Sequence, residues 1–231
     1  MQKIFGFTLA EVLITLGIIG VVAALTLPPV IKNYQKKVTV ERLKKAYSTL
    51  AQAVQLSVKD NDEIETWDFS LSTQDFMDKY IVPYIKDIQS REVKRLFSSR
   101  QYILSDGTTI VGWSWVNPLV KPFVQLTVDI NGDAGPNING RDIFIFHIFS
   151  QSALMYNGGT GDVAHNIPKG GLYPDGYGFS RDDMLNYVWR GCNRKSEKVL
   201  YQGAERNNAG GAFCTALIIL DGWQISKDYK W

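Results

Sequence analysis

The stretch that decides the fold lies near the amino terminus and reads Phe5-Gly6-Phe7-Thr8-Leu9-Ala10-Glu11. It opens an apolar run that extends to Pro28-Pro29, and between Phe7 and Leu27 the only ionisable side chain is that of Glu11. About 20 apolar residues span the hydrocarbon of a bilayer as a helix, so the run predicts a membrane-spanning segment. A carboxylate inside such a segment is costly when it is unpaired, which makes Glu11 a candidate functional group that needs a partner.

The rest of the chain has the composition of a globular protein. It contains 231 residues, of which 45% are hydrophobic and 12% aromatic, enough for a substantial core. The length fits one ordinary domain with an extra element, or two small domains. The formal net charge is +2, and the lysines and arginines are scattered, so no basic block predicts a nucleic-acid partner.

The N-terminal residues resemble the precursors of the type IV pilin and type II secretion pseudopilin superfamily. Such prepilins carry a short basic leader that ends in Gly, followed by Phe-Thr-Leu-x-Glu and a hydrophobic helix. Here Gly6 precedes the cleavage position, Phe7-Thr8-Leu9-Ala10-Glu11 follows it, and Pro28 lies where these helices often bend. The resemblance implies a leader at residues 1–6, cleavage between Gly6 and Phe7 by a prepilin peptidase, and N-methylation of Phe7.

The charges around the apolar run do not orient it in a membrane. Lys32, Lys36 and Lys37 follow the run and outnumber Lys3, which precedes it. The resemblance implies a leader in the cytoplasm and a head outside it, in a single-pass inner-membrane protein that later enters a periplasmic or cell-surface filament. It also implies the partners, which are identical or related pilin-like subunits, the lipid bilayer, the peptidase and an inner-membrane assembly platform.

The chemistry of the cleavage site suggests how Glu11 would act in assembly. Loss of residues 1–6 would leave Phe7 with a free or N-methylated amine at the edge of an apolar helix. When such helices bundle, Glu11 of one copy can pair with the Phe7 amine of a neighbour, and two charges that are expensive to bury alone become tolerable together. The alternative is a signal anchor in which Glu11 reaches out to the membrane interface.

Beyond Pro28 the sequence predicts that the helix continues, with a bend at the proline, to residue 59. Segment 7–29 is then the transmembrane part, segment 30–59 is amphipathic, and residues 60–231 form a globular head. The amphipathic face is marked by apolar residues at helical spacing, namely Leu43, Tyr47, Leu50, Val54 and Val58.

The first half of the head predicts two short helices and then a sheet. Ser72-Thr73-Gln74-Asp75 has the pattern of a helix start before Phe76 and Tyr80, and residues 93–97 predict a second short helix. Four strand-like segments follow, at 102–104, 109–111, 123–130 and 143–149, and Asp106-Gly107 between the first two is typical of a hairpin turn. We therefore predict an antiparallel sheet of about four strands that packs on the N-terminal helix.

The C-terminal third is rich in Gly, Asn and Asp from 156 to 211 and predicts a long loop with one short helix after Ser180. If the head lies outside the cytosol, Cys192 and Cys214 are expected to form a disulfide that closes this region. Such a bond closes a loop of about twenty residues and stabilises by about 3 kcal/mol in the chain-entropy model. Segments 216–220 and 223–225, separated by Asp221-Gly222, predict a final hairpin.

One loop has a spacing of oxygen ligands that suits a hard cation such as calcium. Its candidate ligands are Asp129, Asn131, Asp133 and Asn137, with Gly132 for a sharp turn, but it lacks the bidentate Glu of an EF-hand. The alternative interpretation is that these side chains bind their own backbone in successive turns. Both interpretations stay open, and no other cofactor is predicted.

No motif in the sequence predicts an enzyme. There is no G-x-S-x-G, phosphate loop or H-E-x-x-H, and His147 is interpreted as a residue of the sheet. We interpret five tryptophans as core and loop anchors in preference to a stacking surface for bases or sugars: Trp113, Trp115, Trp189, Trp223 and Trp231.

The sequence thus predicts a pilin-like α+β protein, with a long bent N-terminal helix, an antiparallel sheet and a disulfide-closed C-terminal region. Its predicted function, which rests on the resemblance, is that of a structural subunit of a type IV pilus or type II secretion filament. The alternative from another class is a membrane-anchored binding module for DNA uptake or a carbohydrate, without a filament role.

Overall fold

The computed structural model describes residues 8–95, 98–117, 120–150, 154–155, 165–187, 190–193, 198–201, 204–207, 210–229 and 231. The chain divides into two compact units, Met1–Val38 and Thr39–Trp231. Helix α1 (Leu9–Asn61) contributes to both of them. Below, the word head refers to the second unit, Thr39–Trp231, which contains the predicted head at 60–231 and, before it, the C-terminal part of α1.

Helix α1 confirms the long N-terminal helix, since it runs without interruption through Pro28 and Pro29 for 53 residues. The bend predicted at Pro28 stays a prediction. In the second unit the helix buries one face, as its amphipathic pattern predicts. The buried residues of the helix all lie from Thr39 onwards and are Thr39, Val40, Leu43, Ala46, Leu50, Ala53, Val54 and Ser57.

The head is built on an antiparallel sheet that has six strands, where the sequence predicts about four. Helix α2 (Thr73–Tyr80) precedes it. In chain order the strands of the head are β1 (Gln89–Arg95), β2 (Ser98–Ile103), β3 (Thr109–Asn117), β4 (Val120–Asp129), β5 (Ile143–Phe149), β6 (Leu154–Met155), β7 (His165–Asn166), β8 (Gly171–Pro174), β9 (Lys198–Tyr201) and β10 (Ala204–Asn207). The large sheet has the order β1-β2-β3-β4-β5-β8, and β6 with β7 and β9 with β10 form two small sheets.

The turn between β2 and β3 is the one that the sequence predicts at Asp106-Gly107. Leu104 and Thr108 pair across it, with the Leu104 N–H donating to the Thr108 carbonyl at 2.8 Å. Gly107 has a φ of 84°, which glycine adopts without strain. The hairpin is thereby confirmed, and its strands are longer than the apolar segments that predict them.

Helix α2 also confirms its prediction, because the Ser72 hydroxyl accepts the Asp75 N–H at 3.1 Å as an N-cap. The helix packs closely on β3 at Gly112, where an added Cβ would lie 2.6 Å from the Thr73 methyl. Glycine at this position therefore lets the helix lie directly against the strand.

The second short helix, predicted at 93–97, is wrong for the residues that the structure describes. Gln89–Arg95 is strand β1, which pairs antiparallel with β2 from Gln89 opposite Ile103. The segment lies at the edge of the sheet, where charged side chains such as that of Arg91 are common because they discourage pairing with another chain. Pairing of the backbone with β2 overrides the local preference for a helix.

The core of the head lies between α1 and one face of the sheet. Tyr47 of α1 stacks on Phe146 of β5 with ring centroids 5.8 Å apart and contacts Trp223 at 5.5 Å. Inward side chains of β3, β4 and β5 complete this layer: Ile110, Val124, Leu126, Val128, Phe144, Phe146 and Ile148. The opposite face of β5 is buried as well, since Phe149 and Ile167 form a second, smaller cluster.

The C-terminal region contains the predicted disulfide, with the Cα atoms of Cys192 and Cys214 4.9 Å apart. Helix α3 (Arg181–Asn186) precedes it, capped by the Ser180 hydroxyl, which accepts the Asp183 N–H. The region predicted as a long loop, 156–211, also holds strands β7, β8, β9 and β10.

The predicted final hairpin is wrong, because Cys214–Leu220 is helix α4. A short apolar run does not distinguish a buried helix from a buried strand. Asp221-Gly222 ends the helix in a Schellman motif, with the Trp223 N–H donating to the Ile218 carbonyl at 2.8 Å and the Gly222 N–H to the Ile219 carbonyl at 3.1 Å. Gly222 has the positive φ of 73° that this motif requires.

Candidate functional site

The first described residues form a capping box at the start of α1. The Glu11 N–H donates to the Thr8 hydroxyl oxygen at 3.2 Å. In return, the Thr8 N–H and the Thr8 hydroxyl both donate to Oε2 of Glu11, each at 2.8 Å. Thr8 and Glu11 are the N-cap and N3 residues of the motif, which satisfies backbone donors that a helix start leaves unpaired.

The capping box fixes where the carboxylate of Glu11 stands. Both Thr8 donors bind Oε2, and Oε1 has no hydrogen-bond partner among the residues that the structure describes. Gly6 and Phe7, the predicted processing residues, lie outside the described residues. The T-x-x-E spacing of Thr8-Leu9-Ala10-Glu11 is the sequence signal for this box, and reasoning about the charge of Glu11 alone missed it.

The part of α1 in the first unit exposes its apolar side chains. Leu13, Leu16 and Ile19 are each 60% exposed or more. By length and composition, α1 is the one helix in the described part of the chain that could cross a membrane, and the apolar stretch that qualifies has no buried residue. Apolar side chains on all sides of a helix are typical of a segment that other helices or lipid surround.

The predicted cation loop between β4 and β5 is held by hydrogen bonds of its own. The Asn131 N–H donates to Oδ1 of Asp129 at 3.2 Å, and the Asn131 amide group donates to the Gly135 carbonyl at 3.2 Å. Asp133 forms an ion pair with Arg91, which raises the pKa of that guanidinium. These contacts agree with the interpretation of successive self-bonded turns.

Three of the four predicted ligands nevertheless line one surface pocket of about 320 Å³. They are Asp129, Asp133 and Asn137, and Thr109 and Thr127 add hydroxyl groups to the same lining. The pocket lining does not include Asn131. Within the described residues, no three His, Cys, Asp or Glu side chains are placed together to hold a metal ion.

A residue that sequence reasoning missed organises the far end of this loop. The carboxylate of Asp142 accepts the N–H groups of Asn137 at 2.7 Å and Ile138 at 2.6 Å. Next to it, the Gly140 carbonyl accepts the hydroxyl of Tyr229, and Gly140 lies against the Cys214 side chain. The loop is therefore anchored to the disulfide region, and the N-I-N-G-R-D run of the sequence gave only a general turn signal.

His147 is a residue of the sheet, as interpreted from the sequence. It lies on β5, is 5% exposed, and its Nε2 is 3.4 Å from Oε1 of Gln125. Burial lowers the pKa of His147 to about 4. Asp175, which is fully buried and paired with Arg190, partly opposes that shift by its charge.

Comparison with known families gives two matches. The model of the Family of unknown function (DUF6613) matches residues 29–164, which is more than half of the chain. The model of the Prokaryotic N-terminal methylation motif matches residues 1–27. No curated protein and no solved structure matches the chain. The second match confirms the resemblance to the precursors of type IV pilins and pseudopilins, and the motif with an apolar N-terminal helix fits a membrane-anchored protein.

Proposed function

We propose that this chain, which belongs to the Family of unknown function (DUF6613), is a structural subunit of a type IV pilus or type II secretion filament. The observation that carries the proposal is the methylation motif at residues 1–27, continuous with an exposed apolar helix that bears one carboxylate. An apolar helix of this kind is stable only when lipid or other helices surround it. A filament core and a bilayer both meet that requirement.

The first proposed step is proteolytic. A prepilin peptidase hydrolyses the peptide bond between Gly6 and Phe7, which releases residues 1–6 and leaves the α-amine of Phe7 as the new terminus. Methylation of that amine keeps its positive charge. The product therefore carries a cation at Phe7 and an anion at Glu11, close together at one end of an otherwise apolar helix.

The capping box suggests how Glu11 serves two donors at once. A carboxylate offers about four lone-pair sites on two oxygens. Oε2 is held by Thr8 of the same chain, which leaves Oε1 to accept the Phe7 amine of a neighbouring copy. The Thr8 contacts hold the carboxylate in place before the neighbour arrives, so less conformational freedom is lost on assembly.

The proposal places the protein in the inner membrane as a single-pass subunit, with its head outside the cytoplasm. From there it joins identical or related pilin-like subunits through an assembly platform. An extracytoplasmic head agrees with the Cys192–Cys214 disulfide, because such bonds persist in oxidising compartments. The role is structural and needs no catalytic residue.

A second candidate is a membrane-anchored binding module for DNA or a carbohydrate. The surface pocket lined by Asp129, Asp133 and Asn137 favours a carbohydrate as the ligand, since sugar hydroxyls can donate to these polar groups whereas the two carboxylates repel the phosphates of DNA. The same three residues are candidate ligands for a calcium ion, and we propose this site as well. Titration of the soluble head with millimolar calcium tests the metal: a heat of binding that Asp129→Asn abolishes supports the site, and no heat and no thermal shift rejects it.

Mass spectrometry of the mature N-terminus tests the main proposal. We expect a chain that begins at methylated Phe7. A mature protein that keeps residues 1–6, or that begins elsewhere, would contradict the assignment to the prepilin class. For the choice between pilus and secretion filament, imaging of surface filaments in a deletion strain is the deciding measurement.

A further inference from the structure

The face of the large sheet that lies opposite α1 is partly open to solvent along β4. Alternate side chains of a strand point to opposite faces, and Val124, Leu126 and Val128 belong to the core on the α1 side. The residues between them therefore point to the other face. They are all half-buried, they form what we call the β4 strip, and they are Phe123, Gln125, Thr127 and Asp129.

The neighbouring strands differ in how far they extend this open surface. On one side, the outward residues of β5 are at most 6% exposed, and they are Ile145, His147 and Phe149. On the other side, Val111 of β3 is half-buried and pairs with Thr127. Trp113 and Trp115 of β3 hold the register positions opposite Gln125 and Phe123. The open surface therefore includes β4 and the adjacent part of β3.

The polar pocket of the head lies at one end of the β4 strip. Thr127 and Asp129 belong both to the strip and to the pocket lining, and Val111 joins them there. Phe123 is six residues from Asp129, which corresponds to about 20 Å along a strand. The pocket is therefore continuous with a strip that has an aromatic ring at its other end.

Buried neighbours hold two side chains of the strip in place. The ring of Phe123 lies edge-on to His147 with centroids 5.1 Å apart, and it packs on Phe149 at 5.4 Å. Oε1 of Gln125 lies 3.4 Å from Nε2 of the same histidine. A ligand that binds here loses less free energy to ordering of the protein, because these contacts exist before it arrives.

We propose that the β4 strip and the pocket together bind one neutral glycan chain. A sugar ring has an apolar face of C–H groups that can stack on an aromatic ring such as that of Phe123. The hydroxyl groups at its edge can exchange hydrogen bonds with the amide of Gln125 and the hydroxyl of Thr127. A ligand that combines both features matches the order of side chains along the strip.

The charges of the site favour a neutral chain over a charged one. Asp129 and Asp133 disfavour an anionic glycan or a nucleic acid, and no Lys or Arg is among the described residues that line the pocket. Arg91 forms an ion pair with Asp133, which leaves the pocket with little net charge to attract a polycation. The inference rests on the second candidate function, a carbohydrate-binding module, and adds the class of glycan and the residues that bind it.

Isothermal titration calorimetry on the full-length protein, in a detergent without a sugar head group, tests the inference. The neutral probes are maltohexaose, cellohexaose and chitohexaose, each compared with its monosaccharide. Hexagalacturonate and deacetylated chitohexaose are the anionic and cationic probes. We expect at least one neutral hexasaccharide to bind about ten-fold more tightly than its monosaccharide, because one sugar cannot occupy both the pocket and the ring about 20 Å away.

Variants of the strip locate the binding. Phe123→Leu removes the ring and keeps an apolar side chain, so we expect about ten-fold weaker binding, which Phe123→Trp restores. Thr127→Val removes a hydroxyl at similar volume and should weaken binding about five-fold. Phe69→Leu is the matched control, because it removes the same ring from the core on the α1 side and should not change binding. The unfolding temperature of each variant shows whether it is folded.

Three results would overturn the inference, and they differ in what else they reject. Binding that Phe123→Leu and Thr127→Val leave unchanged would reject the β4 strip and keep the carbohydrate-binding function at another site. No binding of any neutral hexasaccharide would reject that function as well, whereas the filament function is tested separately by the mass of the mature N-terminus. Tighter binding of either charged hexasaccharide would reject a neutral glycan as the ligand.

Discussion

The two parts of α1 differ in whether their apolar side chains are exposed or buried. From Leu9 to Val38 the helix exposes its apolar side chains, and Leu13 and Ile19 are 60% and 63% exposed. From Thr39 to Asn61 the same helix is amphipathic, and Leu43 and Leu50 are completely buried. The difference teaches that one continuous helix can draw its stability from two sources: its own sheet for the second part, and lipid or other copies for the first.

Burial of the apolar side chains that the first part of α1 exposes would contribute a large free energy. Burying a Leu, Ile or Val side chain is worth about 1.5–3 kcal/mol relative to leaving it exposed. The first part of α1 has more than ten such exposed side chains, from Leu9 to Ile31. In the head, the apolar side chains of α1 already contribute this free energy, because they are buried against the sheet. Variants that affect one part and spare the other therefore test the comparison.

The largest expected effect is on assembly and comes from Glu11→Ala. We expect loss of filament assembly, with normal processing at Gly6 and an unchanged free energy of unfolding of the head. The physical reason is that the variant leaves the Phe7 amine without a partner in an apolar core, which costs several kcal/mol. Filament yield and the mass of the mature N-terminus measure the two outcomes.

Glu41→Ala is the matched control for that experiment. Glu41 is exposed on the second part of the same helix and forms no ion pair with a described residue. It should assemble at the wild-type level, because Glu41 lies outside the apolar part of α1. Normal assembly of Glu11→Ala would show that the two parts of α1 do not differ in the way proposed.

The next effect concerns stability and comes from Leu50→Ala. Leu50 is completely buried in the core of the head, so its truncation should destabilise the head by about 3–5 kcal/mol. Leu13→Ala removes the same atoms from the same helix at an exposed position and should leave the unfolding of the head unchanged. Denaturant unfolding measures the stability of both variants. Equal losses of stability in Leu50→Ala and Leu13→Ala would show that the two parts of α1 do not differ in their contribution to the head.

A third effect is confined to the head and concerns the disulfide. Replacing Cys192 and Cys214 with Ser removes a bond between residues 22 apart in sequence. We expect a loss of about 3 kcal/mol of head stability in the chain-entropy model. The apolar part of α1 contains no cysteine, so processing at Gly6 should be unaffected. Reduction of the wild-type head should produce the same shift in denaturation midpoint, and a smaller shift would point to residual order in the unfolded chain.

The sequence was sufficient for features that local chemistry decides. The Ser72 and Ser180 caps, the Asp106-Gly107 turn and the periodicity of α1 each depend on a few neighbouring residues, and each is confirmed. The Cys192–Cys214 bond is also confirmed. Its pairing was predictable because the sequence contains two cysteines. The processing and assembly roles of Gly6, Phe7 and Glu11 stay predictions.

The errors lie where distant contacts decide the structure. Strand β1 exists because β2 pairs with it, and nothing in the charged Gln89–Arg95 segment indicates that partner. Helix α4 is an apolar run without visible periodicity, and its N-terminal turn is fixed from outside, with the Thr215 hydroxyl accepting the Ile145 N–H of β5 at 3.0 Å. The anchoring of the cation loop by Asp142 is equally invisible before the loop is folded.

A fourth prediction concerns pH and again separates the two parts, since the described first unit contains no histidine. Burial holds the pKa of His147 at about 4 in the folded head, against 6.5 for a free histidine. Between pH 4 and pH 6.5 the unfolded chain therefore binds a proton at His147 that the folded head does not bind. Head stability should be fully present above pH 6.5 and should fall by about 3 kcal/mol as the pH drops to 4.

His147→Gln should remove this part of the pH dependence, because glutamine does not titrate. Its own effect on stability at neutral pH sets the baseline for the comparison. Unfolding midpoints at several pH values between 4 and 7 provide the measurement. An unchanged slope in the variant would mean that groups other than His147 account for the acid sensitivity.

The smallest expected effect compares the caps of the two parts. Ser72 caps α2 in the head, and Thr8 caps α1, each through its hydroxyl oxygen and the N–H three residues on. Ser72→Ala should lower head stability by about 1 kcal/mol. Thr8→Ala should leave head stability unchanged, because the helix start it caps belongs to the other unit. It should instead reduce assembly, since Oε2 of Glu11 loses the hydroxyl donor and keeps only the backbone N–H of residue 8. Thr8→Ser, which keeps both donors, should assemble normally, and a Thr8→Ala variant that assembles equally well would show that the Glu11 carboxylate needs no positioning by its own helix.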